Sequence, residues 1–72
     1  MNYLSFREIK DRVSVLNTWL NRHHKEHYQY AIVRGERDYY ENLADEMDDM
    51  GINMMDVNCP TQCYEMITRE EL

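Results

Sequence analysis

The sequence is short of glycine, shorter of proline, and has only two cysteines. Each shortage removes a class of protein. Gly35 and Gly51 stand far apart, so no glycine-rich loop is available to cradle a phosphate. Pro60 is the single proline, and there is no linker, low-complexity tract or internal repeat. Cys59 and Cys63 are too few and too close to form a secreted disulfide framework, which makes a reducing cytoplasm the expected setting. Long apolar runs are missing, so no segment reads as a membrane span. The opening MNYLSFREIK lacks the uninterrupted apolar core of a signal peptide.

Basic residues are scarce in the second half. Residues 1–35 hold six Lys and Arg against three Asp and Glu, a balance of +3; residues 36–72 hold two against eleven, a balance of −9, giving the net −6. A division of this kind fits an acidic face directed at a basic partner and argues against direct nucleic-acid binding through the acidic half. Apolar residues make up 43% of the chain, too many for a disordered acidic tail, so residues 1–72 are expected to fold as one small domain. A chain this short gains from a partner, and a homodimer is compatible with it.

Ser5-Phe6-Arg7-Glu8 has the pattern of a capping box, with Leu4 and Ile9 at the positions of a hydrophobic staple. Phe6, Ile9, Val13, Leu16 and Leu20 then alternate spacings of three and four, widened by Val15 and Trp19, which predicts a helix from Phe6 to Asn21 or His24. His27 to Val33 concentrates aromatic and β-branched residues, with Tyr28, Tyr30 and Ile32 alternating, and reads as a strand broken at Arg34-Gly35. A second helix is expected to start between Glu36 and Tyr39 and to end at Gly51. Ile52–Val57 reads as a strand, parallel to the first through a right-handed crossover. Asn58 to Thr61 reads as a turn, and Gln62–Ile67 as an antiparallel strand or a short helix. The fold expected is therefore α+β, with two helices packed on a two- or three-stranded sheet. The alternative is a mainly helical bundle in which Tyr28–Val33 is helical too.

The second helix carries two faces. Tyr40, Leu43, Ala44, Met47 and Met50 share an apolar one, while Asp38, Glu41, Asp45 and Asp48 recur one turn apart on another, with Glu46 and Asp49 beside them. Arg37 alone answers that charge locally. Carboxylates in such a row, about 5–6 Å apart, present a line of negative charge to a nucleic-acid-binding protein. In composition and size the chain resembles small acidic inhibitors and antirestriction proteins that imitate DNA; no motif aligns with them. Against this stands the ordinary use of surface charge for solubility.

One metal-ligand pattern is present. His23 and His27 lie one helical turn apart, and Cys59-x3-Cys63 has a spacing found in zinc knuckles, so the four residues form a candidate tetrahedral zinc site. The ordinary alternative has the histidines at a helix end, favoured there by the macrodipole, and the cysteines as small apolar residues. A cysteine beside a histidine also has the elements of a nucleophile–base pair, but no oxyanion-hole motif accompanies it and an enzyme is not expected.

The sequence thus points to a small acidic cytoplasmic protein-interaction module, an accessory or viral modulator that binds a larger, nucleic-acid-binding protein through helix 36–50. Asp38, Tyr39, Glu41, Asp45, Asp48 and Asp49 are the expected contact residues. A zinc-binding regulatory module built on His23, His27, Cys59 and Cys63 is the second expectation.

Overall fold

A computed structural model describes residues 3–71. The elements run β1 (Tyr3–Ser5), α1 (Phe6–Arg22), α2 (Tyr30–Met50), β2 (Met54–Asp56) and α3 (Cys63–Glu71). The α+β class holds: among the described residues, three helices accompany a two-stranded antiparallel sheet. Their order differs from the one expected, because a strand precedes α1 and none separates the two long helices.

α1 starts as its capping box requires. The Glu8 N–H donates to Ser5 Oγ and the Ser5 N–H to Glu8 Oε1, both at 3.1 Å. Hydrogen bonding of the Glu8 carboxylate to the Ser5 backbone, and then to the Ser5 side chain, holds that carboxyl below its usual range. Ile9, Val13, Leu16, Trp19 and Leu20 are buried, with Phe6 and Val15 half-buried at the margin of the stripe. The helix ends at His23, whose Nδ1–H donates to the Trp19 carbonyl at 2.8 Å and satisfies one of the last orphan acceptors.

The expected strand at His27–Val33 is not formed. Residues 23–29 make a turn, and from Tyr30 onward the chain is helical through Met50. Two patterns competed over this segment, and the longer one won. As a strand, Tyr28, Tyr30 and Ile32 would have shared a buried face; instead Tyr28 and Ile32 are exposed and Val33 is fully buried. Val33 begins a stripe that continues through Glu36, Tyr40, Ala44 and Met47 at helical spacing, every one of them buried. Tertiary burial of that stripe against α1 outweighs the local β preference of a few aromatic and β-branched residues.

With residues 30–33 helical, no parallel pair forms. β2 falls within the expected Ile52–Val57 segment but pairs antiparallel with β1, in the register Tyr3↔Asp56, Leu4↔Met55, Ser5↔Met54. The Phe6 N–H extends the ladder by donating to the Asn53 carbonyl at 2.8 Å. The sheet is a clip joining the start of α1 to the segment after α2. Of the two alternatives for residues 62–67, the helix is the one formed. α3 lies across α1 and α2, burying Cys63 and Ile67.

Gly35, expected to break the chain, sits inside α2 and costs about 1 kcal/mol relative to alanine there. Nothing lies within 4 Å of a Cβ built on it. Gly35→Ala should therefore raise stability to urea by about 0.5–1 kcal/mol. A loss of stability would place Gly35 outside a helix.

Candidate functional site

Seen from α2, the molecule divides into an inner polar cluster and an outer acidic face. The cluster begins with Glu36, which occupies a core position of the α2 stripe and is 2% exposed. A carboxylate buried that deeply needs several donors. They come from the N-terminus of α3. The Cys63 N–H donates to Oε1 at 2.9 Å and the Tyr64 N–H to Oε2 at 2.8 Å. The Thr61 hydroxyl also donates to Oε1, and the Cys59 thiol approaches the same oxygen at 3.9 Å.

α3 needs this help. Gln62 precedes its first residue, where serine, threonine, aspartate or asparagine would normally cap. Glu36 supplies the cap from another helix and places a negative charge at the positive end of the α3 dipole. Cys63 feels the result: burial, and then the Glu36 charge, push its thiol up to about 11. Among the described residues, no buried polar side-chain atom lacks a partner.

One turn further along α2, Tyr40 meets Arg12. Arg12 Nη1 donates to Tyr40 Oη at 2.9 Å and to Glu65 Oε1 at 3.0 Å, while its guanidinium lies over the Tyr64 ring at 4.5 Å. Burial pushes the Tyr40 phenol up to about 12, with Arg12 acting in the opposite direction. Burial also works against the Arg12 charge, but Tyr40 and Glu65 outweigh it and hold the guanidinium above its ordinary range. Three elements are therefore locked together by two polar ties from α2 to α3, one direct and one through α1.

The acidic residues sit on the opposite side of α2. Asp38, Glu41, Asp45, Glu46, Asp48 and Asp49 are all exposed. Asp38 accepts from Arg37 Nε at 2.8 Å, and Arg37 Nη1 donates to Asn17 Oδ1 at 2.7 Å, so this cation is held against the helix hairpin. Among the described residues, no ion pair reaches Glu41, Asp45, Glu46, Asp48 or Asp49. Tyr39 is half-buried and accepts a bond from the Asn58 N–H at 3.3 Å, so it is tied to the loop after β2.

The direction of the charge is as telling as its amount. α1 has Glu8 in its first turn and Arg22 in its last; α3 has Glu65 and Arg69 in the same places. Arg69 is followed by Glu70 and Glu71, so the last turn of α3 is mixed, whereas Arg22 leaves the last turn of α1 basic, as the helix dipole favours. α2 does the reverse: its first turn has no acid, its last turn has no base, and Asp45, Glu46, Asp48 and Asp49 crowd the negative end.

The four candidate zinc ligands fall into two separate groups. His23 stacks on Trp19 with ring centroids 3.8 Å apart and planes 11° from parallel, and His27 packs edge-on to both. Tyr28 in turn stacks on His27 at 4.8 Å. These rings close the turn between α1 and α2. Cys59 and Cys63 are free thiols beside Glu36. Among the described residues, no group of three or more His, Cys, Asp or Glu side chains is arranged to hold a metal ion. No described helix is long and apolar enough to cross a membrane.

No protein-family model, curated protein or solved structure matches the chain.

Sequence reasoning missed Glu36. A helix begun at Glu36 makes that residue an ordinary first-turn acid, favoured by the dipole. Continued back to Tyr30, the same spacing puts Glu36 in phase with Val33 and Tyr40, and an acid in a core position is the signal that was there to be read. Glu36→Ala strands the Cys63 and Tyr64 amides and should cost about 2–5 kcal/mol in denaturant unfolding. Glu36→Gln keeps one acceptor and should lose roughly half as much. Equal stability of all three proteins would mean that Glu36 does not cap α3.

Proposed function

We propose that this chain is a small protein-interaction module that engages a basic, nucleic-acid-binding protein through the exposed carboxylates of α2. It acts there as a competitor for the surface that the partner turns toward phosphate. The observation that carries this reading is the reversed charge of α2. Each carboxylate near the negative end of a helix is unfavourable by about 0.3–1 kcal/mol. Like-charge pairs such as Glu41 with Asp45, and Asp45 with Asp48 and Asp49, add about 0.2–0.5 kcal/mol each. A small domain with typically marginal stability bears this without a compensating base in the last turn of α2, although α1 carries Arg22 at the same place. Departures from local rules of this kind concentrate where a protein meets something else.

Solubility alone accounts for acidity, but it does not require acids to be gathered at the wrong end of one helix. A basic partner removes the conflict, because its cations supply the charges that the last turn of α2 lacks. The contact row is Asp38, Glu41, Asp45, Asp48 and Asp49, with Glu46 alongside. Tyr39 steadies the adjoining loop instead of standing free.

A variant combining Asp38→Asn, Glu41→Gln, Asp45→Asn and Asp48→Asn separates the two uses of the charge. It should be more stable than the parent by about 1 kcal/mol at low salt, while losing its retention of basic nucleic-acid-binding proteins from a lysate and its ability to displace DNA from them. The parent's retention should also fall as salt rises, since the screening length contracts from ~10 Å at 0.1 M to ~3 Å at 1 M. If the variant retains the same proteins with the same salt dependence, the acidic row is a solubility surface.

A further inference from the structure

The acidic end of α2 adjoins an apolar notch, and the two together specify more about the partner than its charge. α2 closes on Gly51, which adopts the left-handed conformation at φ 68°. The Ile52 N–H returns to the Met47 carbonyl at 3.0 Å and the Gly51 N–H to the Asp48 carbonyl at 3.3 Å, the two bonds of a Schellman motif. In that motif the residue after the glycine packs its apolar side chain back on the last turn. Met47 is fully buried, yet Ile52 remains 37% exposed. Met50 and Met54, one residue to either side of the segment 51–53, are 53% and 52% exposed.

The space left between α1 and this turn is a cavity of about 290 Å³ bounded by Phe6, Met47, Asp48, Gly51, Ile52 and Asn53. It is large enough for one big apolar side chain. Its walls are fixed: the Phe6–Asn53 backbone bond ties one side to the sheet clip, and the Schellman bonds tie the other to α2. Asp48 stands in the wall itself, with Asp45 and Asp49 within one turn of it on the helix.

We propose that this notch seats a single apolar side chain from a basic segment of the partner, while lysine or arginine side chains flanking that anchor meet Asp45, Asp48 and Asp49. The proposal rests on the reading of the acidic face given above and adds its anchor. Charge decides the occupant. An uncharged apolar segment would have to desolvate Asp48 without compensation, whereas a segment with cations beside its anchor pairs with the rim as it buries the floor. Charge would then govern the rate of encounter and its salt dependence, and the anchor would govern residence.

The test uses a helical lysine–alanine peptide with one central leucine, and the same peptide with that leucine replaced by alanine. Binding of each to the full chain and to Ile52→Ser is followed by fluorescence anisotropy at low and moderate salt. Phe6→Ala, at a half-buried residue that lines the notch, is a second notch variant, and Ile32→Ser is a control at an exposed position remote in sequence from the notch. Circular dichroism checks that all are folded. With the parent protein, loss of the leucine should weaken binding by about tenfold. Ile52→Ser should weaken the leucine peptide to a similar extent, and in that variant the two peptides should bind nearly alike. That non-additivity marks a direct contact. Ile32→Ser should change nothing, and salt should weaken every combination.

If both peptides bind the parent equally and with salt dependence, the acidic face binds cations without an anchor; the proposal falls and the broader reading stands. If neither peptide binds at low salt, both fall. If the free protein sediments as a dimer that Ile52→Ser dissociates, the notch belongs to a second copy of this chain and the proposal is overturned.

Discussion

The Glu36 carboxylate is the point on which the arrangement of the helices turns. Two long helices can bury their apolar stripes against each other without it, as Leu16, Val33 and Met47 do. α3 is different. Nine residues make a helix too short to persist in water by itself, and its sequence provides no capping side chain at Gln62. Its amides are satisfied by an acid reaching in from α2, so its formation and its docking are one event. The Arg12–Glu65 ion pair and the Arg12–Tyr40 bond fix the same helix from the other side. A negative charge is thus spent inside the molecule at a place where a helix dipole welcomes it.

The outer face of α2 presents the opposite case. Asp45, Glu46, Asp48 and Asp49 lie toward the end where the same dipole repels them, and among the described residues no cation pairs with them. One helix therefore carries acids in two electrostatic settings, one stabilising and one not. The first is explained by the fold. The second has no explanation within the fold, and it is this contrast, more than the net charge, that supports a role in meeting a basic partner. The exposed Ile52 and the methionines around the end of α2 fit the same picture, because they keep apolar surface in water beside charge that is already unfavourable.

Much of this was legible in the residues. The capping box at Ser5 and Glu8, the α1 stripe and the glycine stop at Gly51 were all readable, because each rests on contacts within a few residues of chain. The α+β class was legible as well, as was a short strand within 52–57. The strand assigned to 27–33 was a misreading of period. Over seven residues an alternation of two and a repeat of 3.6 share several positions, and Gly35 suggested a boundary where the helix in fact continues. The pairing of β2 with Tyr3–Ser5 depends on the segments before α1 and after α2 being brought together by the helix hairpin, which no local pattern encodes. Glu36 was hidden by the same error, since its role appears only once the helix is extended back through Val33. His23 and His27, read as one helical turn apart, lie beyond the last residue of α1 in the turn that follows, where Trp19 and Tyr28 engage their rings, while Cys59 and Cys63 sit with Glu36.

The claim that a charged Glu36 caps α3 is tested most directly at the thiol beside it. In a Cys59→Ser background, which keeps a hydroxyl donor at that position, Cys63 is the single thiol, and its ionisation can be followed by the carbon NMR shift of its Cβ as pH is raised, free of overlap with the six tyrosines. Burial, and then the Glu36 carboxylate, push this thiol up to about 11 in the parent chain; Cys59 adds a smaller push that the substitution removes, so the midpoint in this background should still lie above that of an ordinary cysteine. Adding Glu36→Gln removes the charge while leaving most of the burial, so the midpoint should move down toward the ordinary range. An ordinary midpoint in the Cys59→Ser protein, unchanged by Glu36→Gln, would contradict the account, since it would mean that Cys63 and Glu36 do not meet at the start of α3.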